Sequence, residues 1–176
     1  AGIHPYLYAP SAPELAPFRD SLWEAVNHKP MRSPYPPLAE ALFAAVYRLA
    51  PDSLTAMQVA AVAFDLAVAV LLLPMLARWG LDPRRVVIYA WNPLLLVQFA
   101  HSAHFDGAMV LSLLGAIYLL ALQKRLASGL MLGVSAMIKL VPGLAVPLFA
   151  PLWGVSGLMG AAAMVAASVV PFVGSG

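Results

Sequence analysis

Apolar residues fall along this chain in long blocks separated by short polar turns, and the blocks have the length of membrane helices. From Leu54 to Ala77 only Asp65 is charged, over about the 20 residues that one crossing needs. Pro51, Asp52 and Ser53 punctuate and cap its start. The pattern predicts further helices at 86–100, 107–122 and 127–138. After Lys139 the segment VPGLAVPLFAPLW carries Pro142, Pro147 and Pro151, as in a kinked or discontinuous helix lining a cavity. Gly154, Ser156 and Gly157 predict a turn. A small-residue helix from Leu158 to Val170 follows, with Gly160, Ala163 and Ala167 suited to close packing.

The first 52 residues read differently. Pro5, Pro10, Pro13 and Pro17 break any membrane helix, so 1–37 is expected as a folded loop, with one short helix near Ala16–Val26. Tyr35-Pro36-Pro37 ends it in an extended turn, because the residue before a proline is pushed out of the α region. A helix over 38–50 comes next. At about 13 residues it is too short to cross, which predicts an interfacial helix.

Composition fixes the class. The chain is 62% hydrophobic and 10% charged, far from the quarter of charged residues in a soluble domain. The expected architecture is an all-α, polytopic transmembrane helical bundle. It comprises an external (periplasmic) loop over 1–52 with the juxtamembrane helix 38–50, then five or six helices over 53–176, truncated at both ends. The start at Ala1 without Met and the stop after an apolar run suggest an internal piece of a longer protein. With no Cys, disulfides and thiol chemistry are excluded, and a net charge of +2 gives no case for nucleic acid.

The chemistry concentrates in WNPLLLVQFAHSAHFDG, 91–107. An ionisable side chain at bilayer depth is costly, so His101, His104 and Asp106 mark either a functional site or a helix end wetted by headgroup water. Asp65 must likewise face protein or water, most simply through a hydrogen bond to a neighbouring Ser, Tyr or Trp. Basic turns at Arg78, Arg84, Arg85 and at Lys124, Arg125 vote for the cytoplasmic side. The alternation of helices then delivers His101, His104, Asp106 and Lys139 to the external face, beside the 1–52 loop.

The series AGIHPYLYAP, NHKPMRSPYPPLAE, GLDPRR, YAWNPLLLVQFAHSAHFDG and MIKLVPG resembles, in order and spacing, the bacterial branch of the GT-C superfamily. These are multi-spanning glycosyltransferases that take a sugar, often mannose, from a polyprenyl-phosphate carrier. The resemblance covers most of the chain and implies an inner-membrane, multi-pass transferase working on the periplasmic side, with a glycan or lipid acceptor. Its usual Arg-Tyr and Trp-Asp-Gly stretch is absent, so the resemblance puts the acidic base upstream of Ala1 and implies that this piece is inactive alone. Gln98 stands where similar sequences hold an acid.

A polyprenyl-phosphate leaving group needs a cation as charge develops on its oxygens. Lys139 is the first candidate and His104 the second; the alternative for Lys139 is snorkelling to the headgroups. Asp106 and His101 are candidates for sugar hydroxyls or for orienting His104. Tyr35 with the Pro36-Pro37 turn would wall the acceptor side, and Asn27 and His28 line the loop, unless they serve as plain loop structure. No cofactor is implied, and a His, His, Asp metal site has no established spacing signature. A secondary transporter fragment and a non-enzymatic membrane assembly subunit are the competing classes.

Overall fold

The computed structural model describes residues 3–95 and 103–173. All regular structure among them is helical, and there is no strand. The principal helices are α1 (Pro37–Leu49), α2 (Leu54–Arg78), α5 (Asp106–Ala121), α6 (Arg125–Ile138) and α7 (Val146–Val169), with α3 (Val86–Ala90) as a short piece and α4 described over Pro93–Leu95.

The starts follow local chemistry. Pro36 is extended (ψ 160°) and Pro37 opens α1, where a missing N–H costs nothing. Ser53 caps α2 by accepting from the Ala56 N–H at 3.1 Å. At 25 residues, α2 is about 37 Å long, enough for a bilayer core of about 30 Å. Its residues buried within the chain are Ala61, Val68 and Met75. A stripe with a seven-residue period is the seam of one helix neighbour. Elsewhere α2 presents Val59, Leu66 and Val70 outward, as lipid-facing helices do.

Three antiparallel or parallel pairings fix the rest. α5 runs alongside α2 in the same direction: Gly107 packs on the backbone of Asp65, and Arg78 donates to the Ala121 carbonyl at the other end. α6 returns antiparallel to α5, with Ser128 Oγ donating to Ala116 O (2.7 Å) and Ser135 Oγ to Met109 O (2.8 Å). Each buried hydroxyl is satisfied by a carbonyl across the seam.

Val141–Phe172 is long and apolar enough to cross a membrane, as is α2. Yet it is no single straight crossing. Its first limb descends antiparallel to α6: Gly143 faces Ala136, and Trp153 Nε1 donates to Ser128 Oγ at 2.8 Å. Gly154 then takes φ 60°, ψ −160° beside Arg125. The second limb climbs parallel to α6, with Gly157 against Gly129 and Ala161 and Met164 against Gly133. The expected turn at 154–157 is therefore a reversal at Gly154, and Trp153, wholly buried, plugs it with Leu132 and Ala116.

Several expectations are corrected. The helix expected over 86–100 is interrupted at Trp91–Asn92, where Asn92 Oδ1 accepts from Leu94 N and Pro93 restarts the chain. The rest of that segment, including Gln98, lies outside the described residues. The short helix near Ala16–Val26 is instead two 3-10 turns, Pro13–Phe18 and Trp23–Ala25. Pro17 and the extended Arg19 prevent a continuous helix, and Asp20 turns the chain by accepting from Leu22 and Trp23 N–H. The helices expected over 107–122 and 127–138 have 16 and 14 residues, about 24 and 21 Å, short of a full crossing.

Candidate active site

The α5–α6 hairpin builds the site. Asp106 is the first residue of α5 and Lys139 the residue after α6, so antiparallel packing sets the N-terminus of one helix beside the C-terminus of the other. Each charge suits its helix end, carboxylate at the positive end and ammonium at the negative. They form an ion pair between Lys139 Nζ and Asp106 Oδ1, the one ion pair among the described residues.

Phe105, 6% exposed, anchors the floor. Its ring meets Phe43 of α1 edge-on (5.1 Å between centroids) and Phe64 of α2 (6.0 Å). Phe43 in turn meets Tyr35 (5.2 Å). This chain of rings ties the N-terminal loop, α1, α2 and α5 together under the ion pair.

Around the pair lies a cavity of about 550 Å³. Tyr35, Pro36 and Phe43 line it together with the polar His104, Asp106 and Lys139 and the apolar Leu140 and Val141. Because Gly107 packs at Asp65, this cavity sits about 16 Å along α2 from Leu54. It is recessed below the start of that helix and roofed by α1 and the loop. A second cavity, of about 580 Å³, lies on the other side of Pro34, Tyr35 and Phe43 and takes in Asn27, His28 and Glu40.

Four of the residues singled out from sequence, Tyr35, His104, Asp106 and Lys139, thus converge on one cavity, and Asn27 and His28 on its neighbour. His101 lies outside the described residues. Asp106 takes Lys139 as its partner. Asp65 accepts from the Tyr89 hydroxyl at 2.5 Å, the packing hydrogen bond expected of it. Sequence reasoning missed Phe105, Phe43 and Glu40. No spacing along the chain marks out two apolar residues and one acid so far apart.

The loop is held by its own network. His4 Nε2 donates to Phe172 O (3.1 Å) while its Nδ1 accepts from Tyr6 N, and Tyr6, His4 and Phe172 pack edge to face. Tyr6 donates from its hydroxyl to Tyr35 O at 2.7 Å. Burial, and after it the nearby Glu40 carboxylate, raises the Tyr6 pKa above its ordinary value, so the donor keeps its proton. In this way the 3-10 turn Val170–Phe172 that follows α7 helps to position Tyr35, the wall common to both cavities.

Fold and site together define an all-helical protein with a membrane-length apolar helix and a loop-roofed polar cavity. Residues 1–155 match the family described as Alpha-(1->6)-mannopyranosyltransferase, N-terminal domain. The match takes in most of the 176 residues, and the chain belongs to that mannosyltransferase family. No curated protein and no solved structure matches it.

Proposed function

We propose that this chain is the substrate-binding part of a GT-C membrane glycosyltransferase that moves a mannosyl group from a polyprenyl-phosphate carrier to an acceptor at the external membrane face. The observation that carries the reading is the convergence of Lys139, Asp106 and His104 on one cavity walled by Tyr35 and Pro36. The family membership supplies the reaction class.

In this reading Lys139 receives the carrier phosphate. As the sugar–oxygen bond breaks, electrons pass to the phosphate oxygen, and a fixed ammonium there lowers the energy of the developing charge. Asp106 holds the ammonium in place before the donor arrives, which keeps it from straying to the headgroups as a free lysine would. His104, exposed on the same cavity, is the second phosphate donor, and the sugar lies towards Tyr35. His101 remains a sugar-binding candidate.

A recessed cavity is also what a transporter would have. Membership of a mannosyltransferase family favours the enzyme. Replacing Lys139 by Met keeps the length of the side chain and removes its charge, and in the membrane-embedded enzyme it should lower turnover by on the order of a hundredfold or more. Normal turnover of the lipid-linked donor by Lys139→Met would rule the assignment out.

A further inference from the structure

The second cavity, between the N-terminal loop and the first turn of α1, contains a carboxylate that the donor chemistry does not use. Glu40 accepts from Ser33 Oγ at its Oε1, and Ser33 Oγ in turn accepts from the Tyr35 N–H, so the one proton of Ser33 is already committed to Glu40. Among the described residues no cation pairs with Glu40. Its other oxygen is left for a ligand.

We infer that Glu40 binds hydroxyl groups of the sugar acceptor in this cavity, on the far side of Tyr35 from the Lys139 cavity. The inference rests on the transferase reading above and adds to it the acceptor site and the residue that reads it. A volume of about 580 Å³ lies within the range of small-molecule sites. Tyr8, Tyr35 and Phe43 offer flat apolar faces for the C–H side of a sugar ring, while Asn27, His28 and Glu40 offer hydrogen-bonding groups for its rim. Arg32 lines the same cavity. One acid and one base cancel, which suits a neutral polyol better than an anion or a cation. An ionised carboxylate only accepts, so Glu40 selects a ligand rich in O–H donors. Because Pro34, Tyr35 and Phe43 line both cavities, an acceptor held here abuts a donor held at Lys139.

The test is equilibrium binding of α-(1→6)-linked mannobiose to the full-length protein in nanodiscs, read by saturation-transfer NMR without donor present. Saturable binding that weakens about tenfold or more in Glu40→Gln is expected, the loss for one hydrogen bond to a charged group. The amide preserves size and the Ser33 contact, so folding should persist; circular dichroism checks it. Lys139→Met should leave this binding unchanged. No saturable binding, or equal affinity in a folded Glu40→Gln, would overturn the inference. Since no donor takes part, the result stands apart from the turnover assay that judges Lys139.

Discussion

Asp106 and Lys139 sit where helix ends already favour their charges, which is why a pair with side chains 31% and 53% exposed can hold its geometry. An exposed ion pair contributes little to stability, so its use is more reasonably sought in binding. Asp106→Asn should therefore leave the melting temperature nearly unchanged while lowering turnover, because Lys139 loses the group that orients it. Thermal melts beside a turnover assay decide this, and a variant that melts early yet turns over normally would make the pair structural.

Tyr6 gives a residue-scale prediction in pH. Its folded-state pKa lies above the ordinary 10.0, with burial as the main cause and Glu40 second. A group raised on folding contributes stability that is fully present below its unfolded pKa and is lost as pH rises through the folded one. The Tyr6–Tyr35 tether should thus persist from neutral pH to about 10 and fail only in stronger alkali. Tyrosinate absorbance of the wild type minus that of Tyr6→Phe should titrate above the ordinary tyrosine range. A difference curve centred on the ordinary value would contradict the half-buried placement of this hydroxyl.

At the scale of elements, α7 is the informative helix. Length and hydropathy make Val141–Phe172 look like one crossing, whereas its two limbs pack in opposite senses against α6. Gly154 makes the reversal, in a backbone region that is essentially glycine-only and costs other residues on the order of 1–3 kcal/mol. Gly129 sits so close to the Gly157 carbonyl that an added Cβ would overlap it, whereas at Gly115 the nearest atoms belong to the flexible Met131 side chain at 3.8 Å. Gly154→Ala and Gly129→Ala should lower stability by roughly 1–3 kcal/mol, and Gly115→Ala should be nearly silent. Thermal unfolding in detergent ranks the three. Cysteines placed at Leu140 and Val173 should label from the same side of the membrane, with Ser156 labelling from the other. Opposite sides for Leu140 and Val173 would mean a straight crossing.

Taken whole, the molecule has a basic end, where Arg78, Lys124 and Arg125 gather around the turn after α5, and a cavity end roofed by the loop and α1. Short basic turns favour the cytoplasm, so the orientation proposed above has the cavities outside. Cysteines at Ser33 and at Gln123 should accordingly label from opposite sides, with Ser33 reached from the periplasm. Access to both from one side would break this orientation, and the external site with it.

Much of this was written into the sequence because it is local. Helix type, the proline-bounded start of α1 and the Ser53 cap of α2 follow from φ limits and hydrogen bonding within a few residues, and the expected 38–50 and 54–77 stand within a residue of Pro37–Leu49 and Leu54–Arg78. The loop of 3-10 turns and the interrupted 86–100 helix were misread because Asp20 and the Trp91-Asn92-Pro93 corner act through particular side-chain-to-backbone bonds that apolar periodicity does not report. The site belongs to neither category. Which charge pairs with Asp106, which ring supports it and which way Glu40 faces were decided by the antiparallel return of α6 onto α5 and by α1 packing against α6 and α2. Residues 33 apart met only there, since packing of whole helices, and no spacing along the chain, brings Lys139 to Asp106.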